Sequence, residues 1–153
     1  MTDRITLTPE EAALARSRAK ARADKRSRSR VDLFPHKGSW LRANQHQEGA
    51  KIAAARHFGG SLPARVHVHH APWTGAALLV RDEQCDRTAR LLVTGTLTDG
   101  YRLVGWRLGV ECQDPARYRP GKRGAPAYYW PPASLRPVAA LESLLDRSDA
   151  SRA

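Results

Sequence analysis

The chain has 153 residues, enough for one domain with a single hydrophobic core. Its content of 41% hydrophobic and 27% charged residues is ordinary for a globular protein, whereas its formal net charge of +11 is not. Such a charge favours polyanionic partners, with nucleic acid first and an anionic membrane or an acidic protein after it. A coding bias towards arginine would raise the charge without any partner, so composition alone leaves both explanations open.

The sequence lacks the features of a sulfur-based zinc site, of a membrane-spanning segment and of a signal peptide. The two cysteines, Cys85 and Cys112, form neither a CxxC pair nor a tetrad, which excludes a zinc site built on sulfur. No apolar run approaches the roughly 20 residues that span a bilayer. Residues 1–9 also lack the apolar segment of a signal peptide. We therefore expect an intracellular protein with reduced thiols and no membrane partner.

A first helix is predicted to begin at Pro9. Thr8 supplies the N-cap, Pro9 suits the first helical position and Glu11 closes a capping box. The helix is expected to end near residue 26, and Leu14 is its only large apolar residue. The segment is either a solvated, frayed arm or an arm that contacts phosphates and orders on binding. From residue 16 to 30 it holds one acid and these basic residues: Arg16, Arg18, Lys20, Arg22, Lys25, Arg26, Arg28 and Arg30.

The remaining pattern predicts one domain at residues 39–146, preceded by the basic helix and linker at 1–38 and followed by a frayed tail at 147–153. A second helix is predicted at 44–58, where Gly59 and Gly60 terminate it. A terminal helix follows Pro137. Strands are predicted at residues 66–70, 76–80, 89–94, 101–110 and 127–130, with a long loop at 114–125.

The apolar content of these strands indicates their places in a sheet. The runs at 78–80 and 91–93 are continuously apolar, which favours strands that are covered on both faces or central. The segment at 101–106 alternates more, which fits a position nearer an edge. The order of elements predicts an α+β fold in which one mixed sheet of four or five strands is flanked by helices.

Two histidines share one face of the predicted strand at 66–70. His67 and His69 alternate with two valines, which places both imidazoles on one face and His70 on the other. They are either two ligands of a divalent metal, polar surface side chains, or contacts with nucleic-acid phosphate. No acidic residue lies between Gly49 and Arg81, so the nearest carboxylates in sequence come after a turn, at residues 82–86.

Asp99 and Glu111 are a weaker candidate for a metal site. One large class of nucleases holds magnesium with an Asp followed by Glu-x-Lys, but Gln113 stands here in place of the lysine. The two carboxylates also lie at opposite ends of one predicted strand, roughly 40 Å of extended chain apart. We therefore expect Glu111 to form an ion pair at a loop edge.

A second basic segment comes shortly before three aromatic residues. Cationic groups interleaved with aromatic rings suit phosphate contact combined with base stacking, although aromatic residues in a strand also commonly form core. The basic residues are Arg117, Arg119, Lys122 and Arg123, and the aromatic residues are Tyr128, Tyr129 and Trp130.

A series of short segments resembles small phage and prophage proteins, which are similar to nucleases of the PD-(D/E)xK, restriction-endonuclease-like fold. These segments are residues 7–11, 49–59, 66–69, 78–80, 89–95, 101–106, 127–130 and 134–137. The resemblance implies a restriction-endonuclease-like fold and a location in the cytoplasm of a phage-infected or lysogenic bacterial cell.

The resemblance also implies a pattern of catalytic positions, from which this chain departs. The family's helix glutamate falls at Lys51, with Glu48 one helical turn away, and its Glu-x-Lys pair falls at His67 and His69. The upstream aspartate has no counterpart, because the segment before the strand contains no acid. The resemblance therefore implies a degenerate nuclease-like protein that binds nucleic acid, without an assigned catalytic residue and without a required cofactor.

Two alternatives stand beside this expectation. In one, the chain is an active metal-dependent nuclease in which His67 and His69, with Glu48 or Glu111, hold a transition metal. In the other, it is a phage interaction protein whose positive charge meets an acidic protein partner.

Overall fold

The computed structural model describes residues 3–29, 37–121 and 126–150. Within these ranges the chain forms three α-helices and two sheets of three strands each, which confirms the predicted α+β class. The helices are α1 (Pro9–Ser29), α2 (Lys37–His57) and α3 (Val138–Ala150). The strands are β1 (Val66–Ala71), β2 (Leu78–Val80), β3 (Ala89–Thr96), β4 (Gly100–Leu108), β5 (Tyr118–Arg119) and β6 (Ala127–Trp130).

The predicted capping box at the start of α1 is confirmed. The Glu11 N–H donates to Thr8 Oγ1 at 3.1 Å, and the Thr8 N–H donates to Glu11 Oε1 at 2.9 Å. The reciprocal bonds satisfy two backbone donors that a helix end otherwise leaves unpaired. The helix continues to Ser29, three residues beyond the predicted end.

Small residues hold α1 against α2. Ala15 and Ala19 lie one turn apart on the same face of α1 and are fully buried, as is Ala53 of α2. Two ion pairs also join the helices, one between Glu11 and Arg56 and one between Arg22 and Glu48. The described part of α1 is therefore packed on the domain by its alanines, while its described basic residues, including the paired Arg22, stay exposed.

The second helix begins seven residues earlier than predicted and ends at His57, one residue before the predicted end. It starts at Lys37, so the end of the predicted helix-and-linker segment at 1–38 overlaps its first turn, and residues 30–36 lie outside the described residues. At its end Gly59 and Gly60 adopt positive φ angles of 90° and 114°. Their N–H groups donate to the carbonyls of Arg56 and Ala55, which is the Schellman pattern that glycine favours.

The strands form two stacked sheets, so the predicted single sheet of four or five strands is wrong for the described residues. One sheet has the order β1-β3-β4, with β1 parallel and β4 antiparallel to β3. The other is antiparallel, with the order β2-β6-β5. In sequence, the three-residue β2 lies between β1 and β3. Since β1 and β3 pair directly with each other, β2 is not part of their sheet and pairs with β6. The helices cover one face of the first sheet and the second sheet covers the other.

Burial confirms some strand predictions and overturns one. β3 is central, and Leu91, Leu92 and Val93 are at most 1% exposed, while β4 lies at an edge as predicted. The expectation that residues 78–80 are covered on both faces is wrong, because Leu79 is 49% exposed. β2 is an edge strand, so only its alternate residues Leu78 and Val80 face the core.

The last elements close the domain. The short strand β5 forms within the predicted loop at 114–125. Val138 and Leu141 of α3 are buried in the main core, with Leu144 and Leu145 packed against it, as the one-sided apolar pattern predicts. α3 continues to Ala150, into the segment predicted as a frayed tail, and residues 151–153 lie outside the described residues. None of the described helices combines the length and the apolar character needed to cross a bilayer.

Candidate nucleic-acid interface

A groove of about 600 Å³ opens beside β1. Its walls come from α2, β1, the turn at residues 72–77, β2, β3 and β6. Its charged or imidazole-bearing side chains are Lys51, His67, His69, His70 and Arg90, and Trp73, Leu79 and Tyr129 add large apolar surface. Among the described residues that line the groove, none is aspartate or glutamate. The groove therefore suits an anionic ligand better than a cationic one.

The structure places His67 and His69 on one face of β1, as the alternation predicts. Both line the groove, with His67 exposed and His69 half-buried. Burial lowers the pKa of His69 to about 4, and the nearby Arg90 charge adds to this, while a hydrogen bond with the Leu79 backbone opposes it. His69 is therefore a neutral imidazole at physiological pH.

The lowered pKa of His69 predicts a loss of stability in mild acid. The unfolded chain takes up a proton on this residue near pH 6.5 and the folded chain only near pH 4, so the free energy of unfolding falls as pH decreases between these values. For this residue alone the loss is at most about 3 kcal/mol. We expect His69→Gln to flatten the pH dependence of the urea midpoint between about pH 7 and pH 4.5.

The exposed neighbour provides the control for this measurement. His67→Gln removes an imidazole from the same strand face without removing a buried group. It is therefore expected to change the pH dependence less than His69→Gln does. Equal pH dependence in wild type and His69→Gln would contradict the assignment.

His70 lies on the opposite face of β1, as predicted. Its Nε2 is 2.7 Å from the Gly95 carbonyl oxygen, and its ring meets that of Tyr101 edge-on, with 6.1 Å between centroids. Burial lowers its pKa, as it does for His46, whose Nδ1 accepts from the Leu97 N–H at 3.1 Å. His46 thereby joins α2 to the turn after β3, whereas His70 joins β1 to its neighbours within the sheet.

Glu48 of α2 lies beside the groove and is only 5% exposed. Arg22 Nη1 of α1 donates to its Oε1 at 2.8 Å, and Lys51 Nζ donates to the same oxygen at 3.2 Å. The carboxylate therefore joins Arg22 of α1 to Lys51 on the groove wall. Lys51, which the resemblance alone aligns with a helix glutamate, lines the same groove as the two histidines.

For the metal hypothesis, the structure provides two imidazoles on one strand face, but its described residues provide no complete set of ligands. Among the described residues, no group of three or more His, Cys, Asp and Glu side chains is arranged to hold a metal ion. A divalent metal at His67 and His69 stays a prediction.

The second predicted carboxylate pair does not come together. Asp99 lies in the turn before β4, whereas Glu111 lies beyond its other end. The Glu111 carboxylate accepts from Arg136 at 2.9 Å and from Arg107 at 3.4 Å, so its expected role as an ion-pair partner at a loop edge is confirmed.

The α1 residues that are predicted to contact phosphate lie on the surface wherever the structure describes their side chains. Arg16, Arg18, Lys20 and Lys25 are exposed, and Arg22 is exposed but paired with Glu48. Arg26 and Arg28 lie within α1, but their side chains are outside the described part, as is all of Arg30.

Part of the second basic segment, residues 117–123, stabilises the fold. The guanidinium of Arg117 lies over the Trp130 ring at 4.8 Å from its centroid, so this side chain stabilises the second sheet through a cation–π contact. Arg119 is exposed and donates to the backbone carbonyls of Ala116 and Tyr118. Lys122 and Arg123 lie outside the described residues.

Three residues that line the groove, Trp73, Leu79 and Arg90, are not among the site residues predicted from the sequence. Trp73 follows Pro72 in a turn, which is an unusual place for a large aromatic side chain and could have drawn attention to it. Leu79 belongs to an apolar run that predicts burial, and no local signal distinguishes Arg90 from other arginines. Of the predicted aromatic segment, Tyr128 and Trp130 are core and only Tyr129 faces outward.

No protein-family model, curated protein or solved structure matches this chain. The relation to PD-(D/E)xK nucleases therefore stays a prediction from the sequence.

Proposed function

We propose that the chain binds nucleic acid and does not cut it. The observation that supports this most strongly is the groove beside β1, whose described lining includes lysine, arginine and imidazole side chains but no carboxylate. Next to it, α1 presents exposed basic residues along a packed helix. Together they offer cationic groups on two elements that Glu48 links through Arg22 and Lys51, and both elements can contact a phosphate backbone.

The chemistry of the groove favours binding over cleavage. A nuclease that holds magnesium needs carboxylate ligands, because Mg²⁺ prefers oxygen. The three positions that the resemblance aligns with catalytic residues carry Lys51, His67 and His69 instead. Glu48, a carboxylate beside the groove, already accepts hydrogen bonds from two cations, and Asp86 accepts one from Arg90.

A gel-shift series with and without Mg²⁺, Mn²⁺ or Zn²⁺ tests both parts of the proposal. We expect DNA or RNA to be retarded at low salt and to stay intact with every metal. Absence of binding at low salt would overturn the proposal. Cleavage that depends on a metal and disappears in His67→Ala and His69→Ala would support the nuclease alternative. A pull-down of an acidic protein that resists nuclease treatment would favour the interaction protein.

The Glu48 ion pairs predict a gain of binding on mutation. Glu48→Gln removes the negative charge that Arg22 and Lys51 share, so both cations become available to phosphate. Because these two side chains are 48% and 39% exposed, water can solvate them and the cost in stability is about 1 kcal/mol or less. We expect a severalfold higher affinity for DNA at low salt, measured by fluorescence anisotropy.

A matched variant separates this local effect from a change in net charge. Glu142→Gln removes the same charge from α3, where Glu142 pairs with His57. It is expected to change affinity less than Glu48→Gln does. Weaker binding by Glu48→Gln than by the wild-type chain would contradict a phosphate-binding role for the cations beside it.

A further inference from the structure

The groove has an exposed apolar rim. Of the six large hydrophobic residues that are exposed in the described part of the chain, Trp73, Leu79 and Tyr129 all line this groove. Their exposed fractions are 65%, 49% and 46%. Leu79 and Tyr129 are direct partners across the β2–β6 pair, so they form one surface. Clustered apolar side chains in contact with water mark a ligand surface more often than isolated ones do.

The polar wall of the same groove is cationic and held in place. Arg90 is only 6% exposed, and it donates to the Gln84 carbonyl at 3.0 Å and to Asp86 at 2.9 Å. Lys51 is tethered to Glu48 and His67 is exposed. The groove therefore offers a planar ligand an aromatic surface and offers its anionic group a nearby positive wall.

We propose that the groove binds an unpaired nucleotide, with the base against Trp73 and Tyr129 and the phosphate towards Lys51 and His67. This inference rests on the proposed nucleic-acid binding and specifies its substrate as a single strand. Bases in a duplex present their faces to each other, so only an unpaired base is free to stack on protein aromatic rings. The groove volume of about 600 Å³ also lies within the roughly 300–1,000 Å³ typical of small-ligand sites.

The first test compares three ligands of equal length at one low salt concentration: a single-stranded oligonucleotide, its duplex and an abasic strand. Trp73→Ala and Tyr129→Ala are each expected to weaken binding of the single strand about tenfold and to leave duplex binding unchanged. Tyr118→Ala is the control, because Tyr118 is an exposed aromatic residue that does not line the groove. It is expected to change neither affinity.

Tryptophan fluorescence gives an independent measurement. Trp106 and Trp130 are 2% and 5% exposed, and Trp40 is half-buried and does not line the groove, so quenching by a stacked base should come mainly from Trp73. The single strand is expected to quench the wild-type signal and the abasic strand is not. Trp73→Phe is expected to lose the quenching while retaining the affinity, because phenylalanine still stacks.

The outcomes separate this inference from the function on which it rests. The nucleotide site would be overturned by equal affinities for the single strand and the abasic strand, together with no effect of Trp73→Ala or Tyr129→Ala. If both strands still bind in a salt-dependent way, that result supports nucleic-acid binding without the nucleotide site. No binding of any of the three ligands at low salt would overturn both.

Discussion

Replacing four exposed basic residues of α1 with glutamine is expected to weaken duplex binding about 100-fold at low salt. The residues are Arg16, Arg18, Lys20 and Lys25. Each phosphate contact releases counterions, so losing four contacts should also reduce the slope of log affinity against log salt by roughly 3 to 4. Glutamine retains a helix propensity close to that of arginine and lysine, so α1 should stay folded.

The control for this variant removes the same charge from elsewhere on the surface. Four exposed arginines outside α1 are replaced with glutamine: Arg65, Arg81, Arg87 and Arg147. If α1 is the phosphate-binding element, this control loses much less affinity. Equal losses in the two variants would show that net charge alone attracts the nucleic acid, and would contradict the assignment to α1.

Deleting α1 would be a poorer experiment. The helix buries Ala15 and Ala19 against α2 and forms ion pairs with it, so its removal would uncover apolar surface on the domain. Loss of binding in such a truncation would not separate a lost contact from a damaged fold.

Gly49→Ala is expected to destabilise the fold by about 3 kcal/mol or more. In the middle of an exposed helix the same change usually stabilises by about 1 kcal/mol, because glycine is a poor helix former. Here an added Cβ would overlap the hydroxyl of Tyr101 and lie 2.8 Å from Leu97 Cδ2. Tyr101 is fully buried and its hydroxyl donates to the His46 carbonyl at 2.7 Å, so it has little room to move away. The free energy of unfolding in urea measures the effect.

A double-mutant cycle with Tyr101→Phe identifies the cause. Removing the hydroxyl alone should cost about 1 kcal/mol through the lost hydrogen bond. In the Gly49→Ala background the same removal relieves part of the overlap, so the double variant should be more stable than additivity predicts. Additive effects, or a Gly49→Ala chain as stable as wild type, would contradict the close packing of α2 on β4.

The sequence predicts the parts of the fold that depend on local chemistry. The Thr8–Glu11 capping box, the glycine termination of α2 and the central position of β3 follow from residue type and spacing. The division into two sheets does not, because a strand pattern shows which face is apolar without identifying the partner strand. For β2, three apolar residues are too short a run to distinguish a central strand from an edge strand.

The candidate site is predictable to a similar degree. Alternation alone places His67 and His69 together, and charge counting identifies α1. The Arg22–Glu48 ion pair is not predictable, because it joins two helices through residues that are 26 positions apart in sequence. The exposure of Trp73 and Leu79 depends on how the turn after β1 carries the chain into the second sheet, which no local pattern specifies.

The salt dependence of wild-type binding to a labelled single-stranded oligonucleotide tests the central claim most directly. Between about 50 and 200 mM salt, log affinity should fall linearly with log salt, with a slope of about −3 or steeper, and the strand should stay intact with and without divalent metal. A flat salt dependence, or no binding at the lowest salt, would contradict a phosphate-binding surface. Cleavage of the strand would contradict the proposal that the chain binds nucleic acid without cutting it.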